Sequence, residues 1–213
     1  MRKLGASEKR LLLYLVIFLA VVGWDVGRRR WTPAIALATA HYTIDSTATA
    51  EQTREIGDVA EILYSAYMAF LKELDIEPQP HGKLRIKLFK DRAEFRLCNR
   101  ILDWTEAFYR KPYCHQYYSA TEARPYQWMV HEATHQLNAE VAGFSLAKWL
   151  DEGLACYFGT SRIVKGHLTL GKIDAETYPV WWLETMATSG DLQEDKENVS
   201  IIPLRSIISG KGG

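Results

Sequence analysis

His131 and His135, with Glu132 directly after the first, constrain this chain more than any other feature of it. They fall in residues 127–141, a stretch that reads as a helix. Residues four apart on a helix stand about 40° apart around its axis and roughly 6 Å along it, so both imidazoles share one face. Two imidazoles placed in this way can reach one tetrahedral zinc ion at bonds of about 2.0–2.1 Å. Glu132, one residue round from His131, comes within reach of a water on that metal, where a general base belongs. A chain with this pattern must turn one helix face toward a cleft and bring it a third protein donor.

That helix does not supply the third donor. Six residues past His135, where the extended H-E-x-x-H-x-x-G-x-x-H form would place a histidine, stands Val141, and its glycine position is Asn138. One turn past His135 stands Ala139, which has nothing to offer a metal. Glu140 lies roughly 13–14 Å along the axis from His131 and about half a turn round it. The donor must therefore come from another element. Residues 145–158 read as a second helix ending at Gly159, and it carries Trp149-Leu150-Asp151-Glu152-Gly153-Leu154-Ala155. Glu152 follows His135 with enough chain for helix, turn and return. The small Gly153 and Ala155 let two helix backbones approach, and Leu150 and Leu154 can face the core while Glu152 faces the metal. Asp151 is the alternative donor, since only one of two adjacent helical residues can face the ion. If Glu152 is the ligand, Asp151 becomes a candidate for fixing an imidazole from behind.

Taken in this order, His131-Glu132-Ala133-Thr134-His135 and Trp149-Leu150-Asp151-Glu152-Gly153-Leu154-Ala155 resemble the gluzincins, in particular the peptidase MA-like domains. The second stretch is similar to the W-L-N-E-G-F-A of zinc aminopeptidases. The resemblance extends loosely from His41-Tyr42 through residues 84–89 to Pro203-Leu204. It implies an α+β, zincin-like domain with a small mixed sheet, a backing helix, the H-E-x-x-H helix and a following glutamate helix. It makes His131, His135 and Glu152 the ligands of one Zn2+ and Glu132 the base of peptide-bond hydrolysis. The G-A-M-E-N motif of the aminopeptidases is absent, which favours an endopeptidase over N-terminal trimming. Cys156 stands where relatives are frequently acidic.

Residues 11–24 form an uncharged, mostly apolar run after Arg2, Lys3, Lys9 and Arg10. As a helix it spans roughly 21 Å, short of a hydrocarbon core of about 30 Å unless flanking residues snorkel. Arg28-Arg29-Arg30 follow at once, and the first A-x-A triplets come only after them, which disfavours cleavage. The expected organisation is a signal-anchor or signal peptide over residues 1–30 and a peptidase domain over 31–213, outside the cytoplasm and membrane-anchored, or secreted if cleaved. Lysines plus arginines equal aspartates plus glutamates, 26 each, so no overall field points to nucleic acid. The three cysteines form no paired framework: either Cys98 and Cys114 bridge, or all three are free.

Between the anchor and the metal helix, Tyr42 and Ile44 alternate with His41 and Thr43 as in a short strand. Thr49 and Gln52 form a capping box that opens a helix with Ile56, Val59, Leu63, Ala66, Tyr67, Phe70, Leu71 and Leu74 on its apolar face, with no role beyond backing a sheet. Residues 84–89 alternate as a strand, and Asp91 with Glu94 caps a helix running to about Trp104. Residues 106–120, rich in tyrosine, suit a hairpin that either serves as the edge strand beside the cleft or merely covers the sheet. Past the second helix, residues 163–170 read as a hairpin about Lys165-Gly166, 178–187 as a helix, and 189–198 as a loop.

An oxyanion donor is not assigned; Tyr157, His167 and Tyr178 are candidates by position alone. His41, His81 and His115 read as structural or solvent-facing. The expected substrate is a peptide or protein. The alternative to a peptidase is a membrane-tethered, non-catalytic zinc domain with a closed cleft that binds a protein partner, which the intact Glu132 disfavours. A zinc hydrolase acting on another bond shares the same metal chemistry.

Overall fold

A computed structural model describes residues 6–79, 82–99, 104–177, 180, 189–197 and 205. Five strands form a mixed sheet: β1 (Ile35–Ala38), β2 (Tyr42–Ser46), β3 (Leu84–Phe89), β4 (Ala107–Arg110) and β5 (Tyr113–Tyr117), in the order β1-β2-β3-β5-β4. The central pairs β2–β3 and β3–β5 are parallel, and the outer pairs are antiparallel. Alternation in the sequence becomes two faces. Tyr42, Ile44, Leu84, Ile86, Leu88 and Cys114 are buried on one of them. In register, Ile44 pairs with Ile86 and Ile86 with Cys114, so a continuous apolar row crosses the sheet.

That face is covered by two helices. Thr49 opens α2 (Ala50–Glu73): its hydroxyl accepts the Gln52 N–H at 3.2 Å, and the Gln52 side chain accepts the Thr49 N–H at 3.0 Å. Ile56, Leu63, Tyr67 and Leu71 of α2 pack with Met129, Ala133 and Leu137 of α4 (Gln127–Glu140) and with the sheet in one core. Each of the isoleucine, leucine and methionine side chains contributes about 1.5–3 kcal/mol of burial. Leu74, expected on the buried stripe, is the C-cap of α2 and is exposed, because the helix ends at Glu73 and the chain turns away.

On the opposite face Phe89, Phe95 and Tyr117 form a smaller aromatic core, with Trp31 and Phe108 against it. Phe95 lies in α3 (Arg92–Cys98), capped by Asp91, whose carboxylate accepts the Glu94 N–H at 2.8 Å. The helix stops at Cys98, shorter than expected, because Asn99 takes an extended backbone; residues 100–103 lie outside the described ones.

α5 (Lys148–Gly159) starts three residues later than the sequence suggests, since Ala147 holds an extended backbone and the Phe144 N–H turns back to the Asn138 carbonyl. Its buried face is Ala155, Phe158 and Gly159. Leu150, expected in the core, is exposed, because α5 is rotated to bury Ala155, Phe158 and Gly159 instead. The hairpin of β6 (Ser161–Val164) and β7 (His167–Ile173) turns at Lys165-Gly166, both with positive φ, as expected though longer. The expected loop over 189–198 contains α6 (Leu192–Glu197), because Asp191 caps it through the N–H groups of Gln193 and Glu194. The expected helix over 178–187, apart from Val180, and Pro203-Leu204 lie outside the described residues.

The apolar run of residues 11–24 lies in α1 (Ala6–Arg29), where the side chains from Leu12 to Trp24 are exposed. Among the described residues no helix is long and apolar enough to cross a membrane.

Candidate metal centre

α4 is built to aim its polar positions. Ala133, Thr134 and Leu137 are fully buried, and Thr134 satisfies its hydroxyl on the Val130 carbonyl at 2.7 Å. With that stripe against the core, His131, Glu132 and His135 turn toward a cleft of about 870 Å3. Behind His131 the two helices meet closely: a Cβ added to Gly159 would lie 3.4 Å from the His131 Cβ. Gly153, expected at this contact, has nothing within 4 Å of an added Cβ among the described residues; Gly159 is the small residue that meets His131, with Ala155 buried on the same helix.

One carboxylate oxygen of Glu152 lies 3.4 Å from His131 Nε2 and 3.6 Å from His135 Nε2. One donor atom from each of the three residues lies within 4.8 Å of those of the other two. Donors around a tetrahedral zinc at about 2.0–2.1 Å stand about 3.3–3.4 Å from one another, so this spacing fits one ion. His131, His135 and Glu152 thus form a group that can hold a metal ion. Asp151 faces elsewhere: its Oδ2 accepts from His135 Nδ1 at 2.7 Å and its Oδ1 from the Asn138 amide at 2.6 Å. Glu140 points away, accepting from the Tyr109 hydroxyl at 3.0 Å and from Gln136 at 3.2 Å.

The pocket gathers negative charge around its two imidazoles. Burial lowers the basicity of His131, but hydrogen bonds with Cys156 and Glu152 and the charge of Glu132 outweigh it and raise its pKa to about 10. His135 is raised as well, burial being outweighed by Glu152, Glu132 and Asp151. Hydrogen bonds from both imidazoles hold Glu152 well below the usual carboxylate range. Burial pushes Glu132 upward, against the opposing pull of His131 and His135. A bound dication would replace the protons that this anionic pocket otherwise draws onto its imidazoles.

β4 forms the opposite wall. It is the outer strand of the sheet, and Trp104 through Tyr109 line the cleft together with Trp128, Cys156 and the metal group. The Tyr109 backbone N–H donates to Glu132 Oε2 at 2.8 Å, which fixes one carboxylate oxygen against the strand. The tyrosine-rich stretch is therefore the edge hairpin, not simply a cover for the sheet. Of the oxyanion candidates, the Tyr157 hydroxyl lies 3.6 Å from a Cβ built on Gly171, and His167 sits beside Glu61 and Ser65 in a separate depression; neither lines the cleft. Tyr178 lies outside the described residues. Cys98, Cys114 and Cys156 are free thiols.

Sequence reasoning missed Trp104 and Trp128 as walls of the cleft, and Asn138 as the second partner of Asp151; Glu106 and Tyr109 fall in the stretch it offered as an edge strand. Asn138 is one of several polar residues among the buried positions of α4, with Gln127, Thr134 and Gln136, so its residue type alone did not mark it. No protein-family model matches this chain, and no curated protein matches it.

Proposed function

We propose that this chain is a zinc-dependent endopeptidase of the gluzincin kind, attached to a membrane by its N-terminal helix. The observation that carries the reading is the convergence of His131, His135 and Glu152 at ligand spacing beside a raised-pKa Glu132 that opens into the same cleft. Zinc bound there would supply a water acidified toward neutral pH and a Lewis acid for the scissile carbonyl. Glu132 accepts the proton of the attacking water and returns it to the leaving amine. Its pKa, raised by burial, suits both halves of that exchange.

β4 lies at the sheet's edge along the cleft, where an extended peptide can add as a further strand and bring its carbonyl to the metal. Trp104 and Trp128 offer apolar surface for its side chains. The open cleft disfavours a non-catalytic domain, which would have it closed. Attachment rests on α1, which exposes Leu12–Trp24 to its surroundings, with Arg10 before the run and Arg30 after it to snorkel to the interfaces.

The test is digestion of a denatured-protein and peptide library by the full chain loaded with zinc. Internal cleavages that vanish with a chelator and return with zinc are expected. An intact library in the presence of stoichiometric zinc would refute the peptidase reading.

A further inference from the structure

α2 does more than back the sheet. The Tyr67 hydroxyl donates to Asn138 Oδ1 at 2.6 Å, Asn138 Nδ2 donates to Asp151 Oδ1 at 2.6 Å, and His135 Nδ1 meets Asp151 Oδ2 at 2.7 Å. The polarity of this chain follows from what each group can do. An ionised carboxylate only accepts, so the Asn138 amide must turn its nitrogen to Asp151 and its oxygen to Tyr67. A tyrosine hydroxyl facing an amide oxygen must donate. The same carboxylate fixes a proton on His135 Nδ1, so the nitrogen left to meet an ion is Nε2, which points at the metal position, 3.6 Å from Glu152. Tyr67 and Asn138 are 0% and 2% exposed, so the link between them is closed to water.

We propose that Tyr67 and Asn138 are positioning residues for the metal: a buried hydrogen-bonded chain from α2 that holds Asp151 on His135 and keeps His135 Nε2 presented to the ion. The inference rests on the reading of His131, His135 and Glu152 as a metal centre, but not on peptide hydrolysis. His131 is held differently. Its Nδ1 faces the Cys156 thiol at 4.0 Å, a weak partner, and Gly159 packs against its backbone. One ligand is oriented by directional bonds running into the core, the other by close packing of two helices.

The experiment uses the full chain and measures zinc affinity by chelator competition. In parallel, NMR of the zinc-loaded protein follows solvent exchange of the His135 Nδ1 proton. Tyr67→Phe keeps the ring packed on Phe158, with centroids 5.3 Å apart, and removes only the hydroxyl. Partners behind a ligand are worth about 10–100-fold in affinity, and a link one step further back should fall at the low end, about tenfold. Asn138→Leu should cost at least as much, and the double variant no more than the worse single one, because either change breaks the same chain.

Faster exchange of the Nδ1 proton should accompany each loss. A merely structural role would lower the unfolding temperature and leave both the affinity of the folded protein and that exchange unchanged. Tyr67→Phe binding zinc within twofold of the wild type, with unaltered exchange, would overturn the proposal, and so would additive losses in the double variant. Wild-type chain that binds no zinc would overturn both the proposal and the metal centre. Zinc binding weakened as expected, in a protein that cleaves no peptide, would uphold the proposal and remove only the peptidase reading.

Discussion

Two faces of one sheet bury histidines in opposite electrical surroundings. On the α4 side, His131 and His135 sit among Glu132, Glu152 and Asp151, and both are made more basic despite burial. On the other side, His115 is stacked on Phe108 with ring centroids 4.4 Å apart, faces Phe89 at 6.4 Å, and its Nδ1 has no hydrogen-bond partner among the described residues. Burial, with Lys87 and Arg110 nearby, lowers its pKa to about 4. The difference teaches which buried histidine can serve a cation. One environment gathers negative charge around two imidazoles whose Nε2 atoms point at one shared space, while the other uses the ring as a neutral aromatic plate. Burial alone separates nothing, because all three rings are largely enclosed.

The largest effect that could break this contrast is at Glu152. Glu152→Gln removes the charge both imidazoles share, and metal analysis should fall from one zinc per chain to none. Retention of a full complement of zinc would mean that the negative pocket is not the metal's holder.

His115 comes next. Its folded pKa lies below the ordinary unfolded value of about 6.5, so the unfolded chain binds the proton more readily. The stability that neutral His115 contributes is therefore present above about pH 6.5 and is lost as pH falls toward 4, by up to about 3 kcal/mol. Chemical denaturation between pH 7 and 4 should record that loss, and His115→Phe should flatten it. A limb that persists unchanged in the variant would put its origin in other groups.

Asp151→Ala sharpens the contrast within the metal face. Loss of the carboxylate that orients His135 should weaken zinc about 10–100-fold by chelator competition, with the fold retained. Cys156→Ala should change affinity by less than about threefold, since a thiol at 4.0 Å is a weak partner for His131. Equal losses at the two positions would contradict the unequal support of the two ligands.

What could be read from the sequence was whatever is decided within a few residues or by elimination. The Thr49–Gln52 cap, the alternation of residues 84–89 and the i, i+4 histidines are local, and each appears where expected. Excluding Ala139, Glu140 and Val141 led to Glu152 on the next helix because helical geometry is rigid enough to rule donors out. The rotation of α5 was not legible. Gly153 looked like a contact residue by size, yet which face of a helix is buried depends on the partner surface, and Gly159 takes that place. α6 was missed because its surface is polar, although Asp191 carries the capping signal. The link from Tyr67 to Asn138 spans 71 positions, and no local pattern encodes it.

The central claim is that His131, His135 and Glu152 hold one zinc ion and that Glu132 moves the proton for hydrolysis. The most direct measurement is zinc content together with peptide cleavage for the wild type and Glu132→Gln. One zinc per chain and an intact fold are expected in both, with cleavage in the wild type alone. A Glu132→Gln variant that cleaves at the wild-type rate, or a wild type that cleaves without zinc, would contradict that claim.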